Sequence, residues 1–382
     1  MYNISMKKTG ISLCVTAFLL ALSLILNILA WKSRTFSDLY TNRIFPALTT
    51  GYGKLTSRVS FSVGEILLIV LVIIVLLILV LALIRLIFFF MRKEPSRGFR
   101  KFSRGYFRFL LVLFSAVFLI MTLNCFVLYH CTPLAAAPKV PEEHTIDELA
   151  TLRDYIVNKC NSLSEEMPRD EKGHVVYEGD MTETAKAAML GISNEFGDGR
   201  LSGFYVTPKI LTFSGFMSQQ YMQGYYFPFS MEANINGEMY IMNKPFTMCH
   251  ELAHTKGYIY EDEANFLGYM ASVSSEDKVF QYSGYLGVLN YVNNDFYKLV
   301  GKEEYARHVA ISDRVKFDDQ FLTEEAWEEV EKRAVLKTDT VKKAADTFID
   351  TNLKANGVAI GKESYNKVVK LLLDYYAYHS YN

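Results

Sequence analysis

Apolar and polar positions follow two different patterns along the chain. Up to residue 130 the apolar residues form three nearly unbroken runs, Ile11 to Trp31, Ile66 to Phe90 and Phe109 to Tyr129. Each meets the roughly 20 residues a helix needs to cross the apolar core of a bilayer. The pattern predicts an all-α anchor over residues 1–130 with three transmembrane helices, at about 11–31, 66–90 and 109–129. Lys7 and Lys8 ahead of the first run would also suit a signal peptide. The run is long for that purpose, and no A-x-A-like cleavage site follows it.

Beyond residue 130 the pattern changes. Pro133, Pro138 and Pro141 mark an extended linker over 131–144. Ile146, Leu149, Leu152 and Ile156 then recur at helical spacing, and a second helix is predicted from Thr182. "GFYVTPKILTF" is β-branched and aromatic, and reads as extended chain. "YYFPFSMEANINGEMYIMN" alternates and carries Asn236-Gly237, which predicts a strand pair with a tight turn, or an edge strand and its return. A helix follows, with Asn243 at its cap, Pro245 in its first turn and Gly257 as its stop. Another begins in "EDEANFLGYMASVSS", and helices are expected over 281–300, 302–311, 323–334, 337–354 and 362–378. The expected fold class is α+β and mostly helical for residues 145–382, behind the all-α anchor.

Composition adds direction to this picture. The chain is 51% hydrophobic with a formal net charge of -1, so electrostatics argues for no nucleic acid as a partner. Between the second and third runs stand Arg92, Lys93, Arg97, Arg100, Lys101, Arg104 and Arg108 against Glu94 alone. Such clusters stay in the cytoplasm. The expectation is a multi-pass protein of the cell membrane, with the lipid bilayer as a partner, a cytoplasmic N-terminus and an extracytoplasmic C-terminal domain. Cys131, Cys160 and Cys249 would lie outside; an odd number implies no complete disulfide framework.

The chemistry concentrates in "HELAH", His250 to His254. Residues four apart share a helix face, so both imidazoles can aim at one point. Zinc takes such nitrogens, needs a third protein ligand and keeps an open position for water. Glu251 beside them is the candidate catalytic base. The competing interpretation is a helix with two solvated histidines. For the third ligand, Glu261 shares its helix face with Ala264, Asn265 and Gly268, small residues that permit close approach to the histidine helix. Glu263 shares its face with Phe266, Leu267 and Met270, a core face. This favours Glu261, with Glu263 as the alternative.

"HELAH" followed by E-x-x-A-N, Glu261 to Asn265, resembles the gluzincin pattern. That resemblance implies Zn²⁺ held by His250, His254 and Glu261, with Asn265 supporting a zinc-binding histidine. The interval of six residues between His254 and Glu261 is shorter than in thermolysin-like enzymes. "PFSMEANIN", "HELAHTKG" and "EDEANF" in series are also similar to a bacterial membrane-protein family described as a domain of unknown function, number 3810. The resemblance implies a zincin-like metallopeptidase domain. Zincin-type peptidases bind substrate along a sheet edge, which points to the main chain of Ala233 and Asn234. Tyr365 is the oxyanion candidate, with His308 also available. The expected function is hydrolysis of a peptide or protein substrate in the cell envelope. The rival expectations are a zinc-binding structural or sensory protein without turnover, and a hydrolase of non-peptide envelope polymers.

Overall fold

A computed structural model describes residues 2–138, 143–196, 199–355 and 367–379. The chain opens with α1 (Tyr2–Lys32), two short helices α2 (Arg34–Leu39) and α3 (Phe45–Thr56), then α4 (Val63–Phe90) and α5 (Arg97–Met121). Among the described residues, three spans are long and apolar enough to cross a membrane: Gly10–Lys32, Val63–Phe90 and Arg97–His130. The third begins earlier than its apolar run, because the basic stretch is itself helical. Ser96 caps it by accepting from the Phe99 N–H, and only residues 91–96 separate α4 from α5. α1 packs along α5, where Asn27 donates to the Thr122 hydroxyl at 2.8 Å. α4 touches α5 through the Tyr106 hydroxyl on the Ile74 carbonyl and leaves most of its apolar side chains exposed.

The rest is mostly helical, with three short strands among the described residues. α6 (Ile146–Glu166) starts at a full capping box between Thr145 and Glu148. After α7 (Met181–Gly191) come β1 (Lys209–Ile210), α8 (Ser214–Gln219), β2 (Gly224–Phe227) and β3 (Glu232–Ile235). The sheet order is β1-β3-β2, with β1 parallel and β2 antiparallel to β3. The β2–β3 hairpin turns at residues 228–231, where Met231 takes a positive φ. Asn236-Gly237 follows β3 and is not the hairpin turn: the Asn236 amide is committed instead to the Ser218 hydroxyl and the Met222 carbonyl.

Two long helix pairs build the core. α9 (Lys244–Thr255) packs on the sheet and on α10 (Glu261–Val273), and α11 (Lys278–Tyr305) lies along α6. α11 breaks at Gly301, φ 74°, and the helix expected over 302–311 stops at Tyr305. α12 (Asp313–Asp318), α13 (Glu324–Arg333), α14 (Thr338–Ala355) and α15 (Lys367–Tyr378) complete the chain. All five cysteines are free.

The segment between the first two spans does not stand apart. Thr41 and Phe45 lie against Gly257, and Lys209 Nζ donates to the carbonyls of Thr56 and Val59. Tyr40, Phe45, Ala30 and the end of the third span, Cys125 and Val127 to Tyr129, bury a common apolar cluster with Met231 and Ile259. Burial of this kind contributes about 25 cal/mol per Å² of apolar surface. The ends of the long helices are therefore packed into the domain that carries the histidines.

Candidate metal centre

Pro245 occupies the first turn of α9, where a missing N–H costs nothing. Asn243 precedes it but makes no side-chain cap; its amide donates to the Gln320 carbonyl instead. Gly257 ends the helix with φ 90°, a conformation a Cβ would strain. α9 is buried along nearly its whole length, and Glu251 and His254 are only 3% and 5% exposed. That burial disfavours the solvated-helix interpretation.

α10 crosses α9 closely. A Cβ on Gly268 would stand 3.2–3.3 Å from the His250 main chain, so the small face of α10 is what admits the approach. The crossing brings Glu261, the first residue of α10, to the two imidazoles. Glu261 Oε2 lies 3.3 Å from His250 Nε2 and 3.8 Å from His254 Nε2. The two Nε2 atoms are 3.0 Å apart. Among the described residues, these three form the cluster able to hold a metal, with donor atoms within 4.8 Å of one another. His254 Nδ1 donates to the Tyr258 carbonyl at 2.7 Å, which fixes the tautomer and leaves the Nε2 lone pair facing inward.

Glu263 points elsewhere. Its carboxylate accepts the Leu134 N–H at 2.7 Å, and burial pushes its pKa up to about 7. It ties the segment after the third span to α10. Asn265 stands beside His250 and influences its titration, but His250 Nδ1 and Asn265 Nδ2 are both buried without a hydrogen bond. Tyr291 on α11 was not singled out from the sequence. Burial pushes its pKa up to about 12, with the nearby Glu261 charge adding and the neighbouring Asn265 acting in the opposite sense. With 25 tyrosines in the chain, no local signal marks this one.

Burial also pushes Glu251 up, to about 8. Its Oε2 is buried with no partner. Burial pulls both histidines down. For His250 that effect prevails, whereas at His254 Glu261, Glu251 and the Tyr258 carbonyl together outweigh it and carry the pKa to about 9. Glu261 is itself held well below the usual carboxylate range, the two histidines outweighing its burial. Glu251 packs against β2: a Cβ on Gly224 would come within 2.7 Å of Glu251 Oε1 and 2.8 Å of the Asn234 carbonyl.

Ala233 and Asn234, expected at a sheet edge, are not there. They lie in β3, the central strand, and are fully buried; Asn234 is paired on both sides and Ala233 with Tyr226 of β2. The polar residues of that stretch do not face water: Glu232 and Asn236 are buried by specific partners. Among the described residues, the edge strand beside Glu251 is β2, half-buried and with no strand on its outer side. The Asn236 N–H donates to the Gln223 carbonyl, so by antiparallel alternation Gly224 and Tyr226 direct their main-chain groups away from β3. His308 is paired with Asp154 at 2.8 Å on α6, remote from the cluster. Tyr365 lies outside the described residues.

One family match spans this whole arrangement, from the segment before α3 to α15. The chain belongs to the family described as Protein of unknown function (DUF3810), matched over residues 40–373. No curated protein matches the chain, and no solved structure matches it. The match takes in α3 to α5, with the second and third spans, together with the His250, His254 and Glu261 cluster, and the first span lies ahead of it.

Proposed function

We propose that this chain is a membrane-anchored, zinc-dependent peptidase of zincin-like type, with its C-terminal domain at the outer face of the membrane. The observation that carries the reading is Glu251, buried with one carboxylate oxygen unpartnered, between three converging candidate metal donors and the edge strand β2. Two imidazoles and a carboxylate suit zinc in a catalytic rather than a closed structural site. The basic residues between the second and third spans support the orientation.

His250, His254 and Glu261 would hold the ion. Bound zinc acidifies water and polarises a carbonyl. Glu251 takes the proton of the attacking water and delivers it to the departing nitrogen, so that the C–N bond breaks and an acid and an amine remain. Gly224 and Tyr226 hold the peptide extended through main-chain hydrogen bonds. Asn265 turns its amide to accept from His250 Nδ1 and fixes that ring as the Tyr258 carbonyl fixes His254.

The test uses the full chain purified in detergent. We expect about one zinc per chain, lost in His254→Ala, and peptide cleavage lost in Glu251→Gln with zinc retained. A folded parent that takes up no zinc on reloading sinks the reading. Zinc without Glu251-dependent cleavage indicates a non-catalytic zinc protein, and cleavage confined to non-peptide envelope polymers indicates the other hydrolase class.

A further inference from the structure

The position of the site relative to the long helices says what kind of peptide reaches it. β2 runs from Gly224, against Glu251, to Phe227, whose ring meets the first turn of α4: a Cβ on Gly64 would stand 2.8 Å from Phe227 Cδ1. Opposite Phe227, Glu232 accepts the N–H groups of Val63 at 3.2 Å and Gly64 at 2.9 Å. Glu65 in turn accepts those of Thr212 at 3.0 Å and Phe213 at 2.8 Å. The span begins at Val63 itself. At about 3.3 Å per residue, three strand residues cover about 10 Å. The base is thus about 10 Å, along the strand edge, from the start of a membrane-length helix.

The far side of the site is closed in the same way. The Tyr260 hydroxyl donates to the Tyr129 carbonyl at 2.5 Å, next to the last residue of the third span. Ile259 and Met231 are buried among the ends of the first and third spans. α14 packs on α8, with Lys342 over the Tyr221 ring ahead of β2 and Ile349 packed on the same junction cluster. Exposed rings of Phe61 and Phe213 stand at the level where α4 begins, as apolar side chains do in a headgroup layer.

We propose that the substrate is itself anchored in the membrane, and that the bond cut lies in the extended stretch just outside its anchor. This rests on the peptidase reading above. A strand paired along β2 and continued past Phe227 runs directly to the membrane surface. A segment emerging from a neighbouring anchor has only a few residues to span before it meets Glu251. Confinement to the same bilayer also raises its effective concentration without any added contact.

The experiment places the zinc-loaded full chain in liposomes with single-span reporter polypeptides. Their juxtamembrane stretch carries randomised sequence, either directly at the anchor or behind a long Gly/Ser spacer, and the same sequences are also supplied as free peptides. We expect cleavage of the short-spaced anchored reporters to exceed that of the other two sets by about tenfold or more. The cuts, mapped by mass spectrometry, should cluster within a few residues of the anchor. Equal cleavage of all three sets by wild type but not Glu251→Gln overturns this inference and leaves the peptidase reading standing. No Glu251-dependent cleavage in any set overturns both.

Discussion

Glu232 and Glu251 are both buried carboxylates beside the same small sheet, 1% and 3% exposed. Glu232 receives the N–H groups of Val63 and Gly64 and the Ser230 hydroxyl, so each of its oxygens has a donor. Glu251 has an oxygen with none and faces the donors of a metal cluster. Buried polar groups are as a rule satisfied. The satisfied carboxylate fastens the span to the sheet, whereas the unsatisfied one marks where chemistry is expected. Composition makes them alike, and only their partners separate them.

The sharpest way to break this contrast is to neutralise Glu251. In Glu251→Gln, turnover should fall about a hundred- to ten-thousandfold, as for loss of a general base, with zinc content unchanged. A variant that lost both zinc and fold would place Glu251 with Glu232 as a structural group. Next in size is the ligand contrast one turn into α10. Asn265→Ala should weaken zinc about 10- to 100-fold in a chelator competition. Glu261→Gln should abolish stoichiometric zinc while Glu263→Gln keeps it, because Glu263 serves the Leu134 N–H.

Glu232→Ala should act on stability instead. It strands two N–H groups and a hydroxyl in a buried corner, and a loss of about 2–4 kcal/mol should appear as a lower unfolding midpoint in detergent. The smallest effect is expected at Thr132, which donates from its N–H and hydroxyl to Asp38 in an exposed position. Thr132→Ala should cost about 1 kcal/mol or less. A larger loss would mean that the outer rim of the junction matters as much as its buried centre.

The parts of this molecule governed by local rules were legible in the sequence. Twenty apolar residues in a row make a long helix whatever surrounds them, and the i, i+4 histidines share a face on any helix. The small face of α10 foretold its approach, now seen at Gly268. Legibility failed where distant partners decide. Glu232 reads as a surface residue of an alternating strand until Val63 and Gly64 are brought to it. β3 became central because β1, too short to carry a pattern, pairs on its far side. Tyr291 reaches the site only through the packing of α11 on α10.

The bond between Val63 and Glu232 joins residues 169 positions apart. Chains are made from the N-terminus, so α4 is complete long before its partner carboxylate exists. One end of a membrane-length helix and the strand edge beside Glu251 are thus braced on the same buried carboxylate. A force that tilts or shifts that helix in the bilayer is passed by those two bonds to the β2–β3 hairpin, so the anchor is also a lever on the site.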